Sequence, residues 1–288
     1  MATNSKKGNV LDPSFLGSVM WLINDNCNYN CDYCFTSSHH FKSKEMIKNY
    51  NLFIDKFRKN IPKQWNFYIA GGGEPTIHPD FYKIVKSLVD SQYNISLITN
   101  LSMSFENIDK FFGLVKDRCV FLSASLHLEK TSFKDFYSKI NYIKNNYLNK
   151  KRIDVSSVAI PERLTYLNKC NKIFSRSSIN FRLQNYMHPD GEKHFYSFDQ
   201  LSVIKEINKN KIFLNFKRSN SCICGYKYIV VNPGGDVFRC VADMRQKKSM
   251  GNILNDNFNF YKEVKKCNYD NCFCGDKDVA DLLFALNN

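Results

Sequence analysis

Between residues 18 and 208, short β-rich runs alternate with longer amphipathic stretches, a rhythm that admits few folds other than a parallel sheet wrapped by helices. The strand candidates are SVMWLIN (18–24), WNFYIA (65–70), ISLIT (95–99), CVFLSASL (119–126), IDVSSVAI (153–160) and INFRLQNY (179–186). Apolar residues recur at helical spacing near 43–60, 80–91, 105–116, 131–147 and 162–175, and again near 197–208. Six such units are too few to close an eight-stranded barrel, so the expected α/β fold is a partial, open (β/α)6 barrel. Beyond it, YKYIVVNPGGDVFRC reads as two strands joined by a Pro-Gly-Gly-Asp turn in a Cys-rich tail. The expected organisation is a core over 1–215 and a small Cys-rich β-hairpin/helix module over 216–288, with no tandem repeat or low-complexity linker between them.

The chain of 288 residues is 43% hydrophobic, enough to bury a substantial core. Its first apolar stretch, Phe15 to Ile23, is interrupted by Gly17 and Ser18 and falls short of the ~20 residues that span a bilayer. It also lacks the flanks of a secretory signal, so the reading is a cytoplasmic protein without a membrane partner. Eleven cysteines in a reducing compartment point to metal binding before disulfides. Nine are grouped as Cys27, Cys31, Cys34; Cys222, Cys224, Cys240; and Cys267, Cys272, Cys274, while Cys119 and Cys170 stand alone in apolar or helical contexts and read as ordinary packing residues. The formal charge of +14 comes from lysines scattered over the helical stretches, which suits a solvated outer face better than a nucleic-acid footprint.

Directly after the first strand, CNYNCDYC places Cys27, Cys31 and Cys34 in the spacing Cys-x-x-x-Cys-x-x-Cys. Three thiolates so close together can hold three irons of a cubane cluster and leave the fourth iron open to a ligand. At the end of the second strand, AGGGEPT offers side-chain-free backbone at Gly71, Gly72 and Gly73 and a carboxylate at Glu74 that suits an ammonium group. Both elements fall at the carboxyl edge of the sheet, where such folds bind ligands.

The Cys loop with aromatic Tyr33 before its third Cys, followed by Gly72-Gly73-Glu74, resembles the radical S-adenosylmethionine (SAM) superfamily, and the resemblance extends through the six-unit core. It implies a [4Fe-4S] cluster on Cys27, Cys31 and Cys34 whose open iron chelates SAM, with Glu74 and the Gly72-Gly73 backbone holding the methionine amine. Reductive cleavage would yield a 5′-deoxyadenosyl radical that takes hydrogen from substrate, with electrons from a flavodoxin- or ferredoxin-type donor. Asn100, Ser123 and Ser125 occupy places where the family contacts the cofactor, although Leu101 replaces a glycine often found after that Asn. His127 and Glu129 lie just beyond the fourth strand, where reaching substrate and a surface or capping role are both open. Arg182 and Gln184 on the sixth strand, with Tyr186 and His188 after it, would face substrate if the strand phase is right.

The tail resembles the twitch or SPASM-type module that carries an auxiliary [4Fe-4S] cluster. Cys222 and Cys240, with two of Cys267, Cys272 and Cys274, are the favoured ligands, and Cys224 is a spare or an alternative. A second cluster accepting an electron from a substrate radical would make the reaction an oxidation, whereas epimerases return a hydrogen atom instead. The preferred substrate is a small polar metabolite such as a sugar, aminosugar or nucleotide; the alternative is a ribosomal peptide or protein side chain that is modified or crosslinked. Structural zinc is weighed against iron at both Cys groups, and a zinc-dependent nucleic-acid-binding protein is the reading from another class. Against it, the aromatic residues lie in core-like runs rather than along a basic stripe.

Overall fold

A computed structural model of the chain describes residues 16–34, 45–149, 152–186, 188, 194–208, 222–267 and 269. Six parallel strands follow in sequence order: β1 (Ser18–Leu22), β2 (Asn66–Ala70), β3 (Asn94–Thr99), β4 (Cys119–Ser125), β5 (Ile153–Val158) and β6 (Asn180–Gln184). Helices α1 (Tyr50–Asn60), α2 (Phe81–Asp90), α3 (Phe105–Val115), α4 (Phe133–Asn146) and α5 (Leu164–Arg176) make the crossovers, and α6 (Phe198–Ile207) follows β6. The sheet is open, its order running β6-β5-β4-β3-β2-β1 and onward into the tail. This is the α/β partial barrel expected from the alternation.

The tail hairpin prolongs this sheet. Strand β7 (Tyr228–Val231) pairs in parallel with β1, Ser18 opposite Tyr228, and antiparallel strands β8 (Asp236–Phe238) and β9 (Ser249–Asn252) extend the edge. The Pro-Gly-Gly turn works as anticipated, with Gly235 at φ +87° and its N–H donating to Asn232 O. A short helix α7 (Val241–Arg245) follows β8. The boundary expected at 215/216 lies outside the described residues.

Strand alternation sorts the side chains onto two faces. Val19, Trp21, Phe67, Ile69, Ile95, Leu97, Leu122, Ala124, Val155, Phe181, Leu183, Ile229 and Val231 belong to the main core beneath the helices. Trp21 anchors that layer, meeting Phe57 edge-on at 4.8 Å between ring centroids and Phe53 at 5.5 Å. Each such ring buried contributes about 1.5–3 kcal/mol. Cys119 and Cys170 are part of this core, as anticipated, and burial pushes both thiols up to about 12.

Helix starts follow their caps. Ser104, Ser132 and Ser197 each accept a backbone N–H three residues on, Ser197 within a full capping box with Gln200. The first helix begins later than its apolar pattern suggests. Residues 45–47 are drawn alongside the end of β1 by Asp25 N–H to Glu45 O (2.8 Å) and Ile47 N–H to Ile23 O (3.2 Å), and Asn49 then caps the helix at Leu52.

Candidate active site and thiol centres

The Cys loop leaves the carboxyl end of β1 and is pinned to the turn after β2. Gly73 N–H donates to Asn24 O (3.2 Å), Glu74 N–H to Asn26 O (2.9 Å), and the Asn24 amide returns to Glu74 O (3.0 Å). A Cβ on Gly71 or Gly73 would overlap the carbonyl of Asn24 or Asn26, and one on Gly72 would overlap the Asp25 carboxylate. The glycines therefore serve first to let two backbone segments meet, a use their sequence position did not distinguish from ligand approach.

Glu74 is buried, and its carboxylate caps the turn that follows. Oε1 accepts from Thr76 N–H (3.1 Å), Thr76 Oγ1 (2.6 Å) and Thr99 Oγ1 (2.8 Å), and Oε2 accepts from Asn100 N–H (2.6 Å). Burial raises its pKa and these donors offset part of the rise. Oε2 receives a single donor among the described residues, which leaves it acceptor capacity for a cation. Asn100 then links this carboxylate to the Cys loop: its Nδ2 donates to Asn28 Oδ1 (2.9 Å) and lies 3.9 Å from Cys27 Sγ. Leu101, where the family often has glycine, adopts the left-handed conformation (φ +57°) that favours glycine, yet its side chain is 2% exposed and packed in the core.

His127 and Glu129 turn inward to the Cys loop, which resolves their role as contacts of that loop. His127 Nδ1 is 3.6 Å from Cys31 Sγ and 2.9 Å from Tyr33 OH; Tyr33 OH also donates to Glu129, which is ion-paired with Arg163 at the start of α5. Burial lowers the His127 pKa, an effect Glu129 partly offsets. Burial, with Glu129 next, pushes the Cys31 thiol up to about 12 in the metal-free chain, and the same causes raise Tyr33. The link from Tyr33 through Glu129 to Arg163 was not apparent in the sequence, because its members are far apart along the chain.

The concave face is divided. On the β1–β3 and β7 side, Leu22, Ala70, Tyr228 and Val230 join Phe238 and the tail cysteines in a second apolar cluster. On the β4–β6 side the lining is polar: Ser123 stands opposite Asp154 and Asn180, and Ser125 opposite Ser156 and Arg182. Arg182 Nε donates to Asp154 Oδ2 (2.7 Å), Asn180 donates to the same carboxylate, and Gln184 Nε2 reaches Ser156 Oγ (3.4 Å). Arg182 and Gln184 thus occupy the concave face, opposite buried Phe181 and Leu183. Asp154 is the partner the sequence reading missed; an Asp on the strand face opposite Ile153 and Val155 was its signal. Beyond β6, Tyr186 approaches Tyr33 at 6.4 Å between ring centroids, and His188 Nε2 lies 3.1 Å from His194 Nδ1.

Cys222, Cys224, Cys240 and Cys267 gather at the opposite, amino edge of the sheet, with Cys267 half-buried against the other three. Cys222 and Cys224 precede β7, whose Tyr228 stands beside Ser18, and β8 runs back to deliver Cys240. Cys224, set aside as a spare, belongs to the same group. Cys272 and Cys274 lie outside the described residues. Between the two edges β1 has five residues, a separation of roughly 15 Å along the strand.

The donor set at the carboxyl edge fits a cubane with one open iron. It supplies three thiols outside any disulfide, with Cys34 N–H closing a turn on Cys31 O at 2.9 Å. Tetrahedral zinc, with bonds of about 2.3 Å, draws its sulfurs within about 4 Å of one another. Among the described residues, the one group of three ligand atoms mutually within 4.8 Å is Cys31, His127 and Glu129, which omits Cys27 and Cys34. Neither thiol group is therefore gathered as a compact zinc knuckle.

Comparison with known proteins agrees with this geometry. A family model described as the Radical SAM superfamily matches residues 21–127, and with the fold it supports a radical SAM enzyme, the class that the Cys loop and open parallel sheet define. The chain is similar to the tungsten-containing aldehyde ferredoxin oxidoreductase cofactor-modifying protein of Pyrococcus furiosus, 30% identical over 80 residues (27% of this chain, 22% of the relative). It is also similar to the S-adenosylmethionine-dependent nucleotide dehydratase of Selenomonas ruminantium, 32% identical over 81 residues (28% of each chain). The matched part thus spans about a quarter of these relatives. The crystal structure of anSMEcpe with bound AdoMet shares the fold at a TM-score of 0.61 and 18% identity, covering 83% of this chain and 75% of that one. Among the described residues no helix is long and apolar enough to cross a membrane.

Proposed function

We propose that this chain reductively cleaves SAM at a [4Fe-4S] cluster held by Cys27, Cys31 and Cys34 and oxidises a small polar substrate bound against β4–β6. The observation that carries the reading is the placement of the three thiols beside Asn100 and the buried Glu74 carboxylate at the carboxyl edge of the sheet. When bound, the reduced cluster supplies the electron that breaks a carbon–sulfur bond of SAM and gives a 5′-deoxyadenosyl radical. Glu74 Oε2 and the Gly72-Gly73 turn would hold the methionine end, and Asn100 would orient it from the β3 side. Ser123 and Ser125 line the concave face on β4 and are assigned to the remainder of the cofactor.

The substrate assignment follows from the lining. Hydroxyls, an amide and an Asp154–Arg182 pair face the cavity on one side, a surface that offers hydrogen bonds to a hydroxylated or aminated molecule and little to an apolar one. His127 and Arg182 are the residues assigned to substrate. The tail thiols, at the far end of that face, are assigned to an auxiliary [4Fe-4S] cluster that removes the second electron, with Cys222, Cys240 and Cys267 among its ligands.

Anaerobic reconstitution tests this: about eight irons per chain are expected. Cys240→Ala should reduce iron by half and abolish oxidised product while retaining SAM cleavage. Stoichiometric zinc in place of iron would overturn the reading. Turnover with peptides, and none with sugars, aminosugars or nucleotides, would replace the metabolite by a ribosomal peptide or protein side chain.

A further inference from the structure

Arg239 carries a positive charge into the middle of the tail thiols. It follows β8, is 2% exposed, and is paired with Asp243 one turn on in α7, Nε to Oδ2 at 3.0 Å. Its Nη2 is 3.8 Å from Cys267 Sγ, and the turn bearing Cys222 and Cys224 lies over its stem: a Cβ on Gly225 would come within 2.9 Å of Arg239 Cγ. Tyr269 OH donates to Asp243 Oδ1 (2.6 Å). Burial opposes the charge of Arg239, but Asp243, Cys240 and Cys222 hold its pKa above the ordinary range.

Placing a guanidinium out of water costs several kcal/mol unless partners compensate, and one carboxylate makes the pair only neutral overall. The thiols supply the missing purpose. Metal binding converts them to thiolates, each adding a negative charge beside a cation that already points an N–H at one of the sulfurs. Hydrogen bonds to cluster sulfurs and nearby charge are the levers by which a protein sets a cluster's potential.

We propose that Arg239 is a positioning residue that sets the reduction potential of an iron–sulfur centre bound by Cys222, Cys240 and Cys267, holding it high enough to accept an electron. This rests on the auxiliary-cluster reading above. One-electron reduction adds one negative charge to the centre, and Arg239 offsets that charge while Asp243 opposes it. The two residues should therefore shift the equilibrium in opposite directions.

The test uses the full chain with Cys27, Cys31 and Cys34 replaced by Ala, so that the tail holds the sole cluster, and follows its reduction by EPR-monitored titration. Arg239→Gln should shift the balance at least tenfold toward the oxidised form, 59 mV lower for a one-electron couple. Asp243→Asn should shift it the other way, and Arg239→Lys should recover more than half of the Gln shift. Unmoved potentials, or both neutral variants moving alike, would overturn the role of Arg239. Should Arg239→Gln fail to take up iron, Arg239→Lys decides: loading with near-parental potential supports the role of the charge, and failure to load overturns it. A triple-Ala parent that binds no iron would instead overturn the auxiliary-cluster reading.

Discussion

Glu74 illustrates how much one residue is asked to do. Its two oxygens take four donors from Thr76, Thr99 and Asn100, so Glu74→Gln turns one acceptor into a donor facing a donor. A cost of about 1–3 kcal/mol in unfolding free energy, read from urea denaturation, is expected together with weakened SAM binding. Leu101 poses the opposite question. Glycine there would relieve about 1 kcal/mol of left-handed strain. Losing a buried leucine costs about 2–5 kcal/mol, so packing wins and Leu101→Gly should lower stability in the same assay. At this scale the sequence disclosed the chemistry-bearing residues, Cys27, Cys31, Cys34 and Glu74, because their spacing is local. It did not disclose Thr76, Thr99, Asp154 or Arg163, whose partners arrive only when strands pair.

The secondary elements were legible wherever period and cap agree. All six core strands fall within the expected runs, since alternating or continuous apolar residues leave little freedom. The first helix starts at Tyr50 because hydrogen bonds to Ile23 and Asp25 occupy residues 45–47, a tertiary contact no helical pattern contains. That helix is tied to the tail by Lys56 and Lys59 on Asp256, which hold the Asp256 pKa down to about 2. A depressed carboxylate stabilises the fold above its unfolded pKa, and that contribution is lost as pH falls through the folded one. The difference in urea midpoint between the parent and Asp256→Asn should therefore be full above the ordinary carboxylate range and shrink toward pH 2. A difference unchanged across that window would show the contact to be energetically silent. Strand β7 was expected as half of an appended hairpin; its parallel pairing with β1 follows from Ile229 and Val231 facing the same core as Val19 and Trp21, a match visible only in register.

For the molecule as a whole, that pairing sets two thiol groups at opposite edges of one sheet, with a concave face between them that is apolar on one side and polar on the other. The arrangement makes the first Cys group the source of the chemistry, and the most direct measurement is of its product. Reconstituted anaerobically, reduced and given SAM, the chain should release 5′-deoxyadenosine and methionine in equal amounts by mass spectrometry, and Cys34→Ala should release neither. A parent chain that carries its full iron, is reduced, and yet leaves SAM intact would contradict the account.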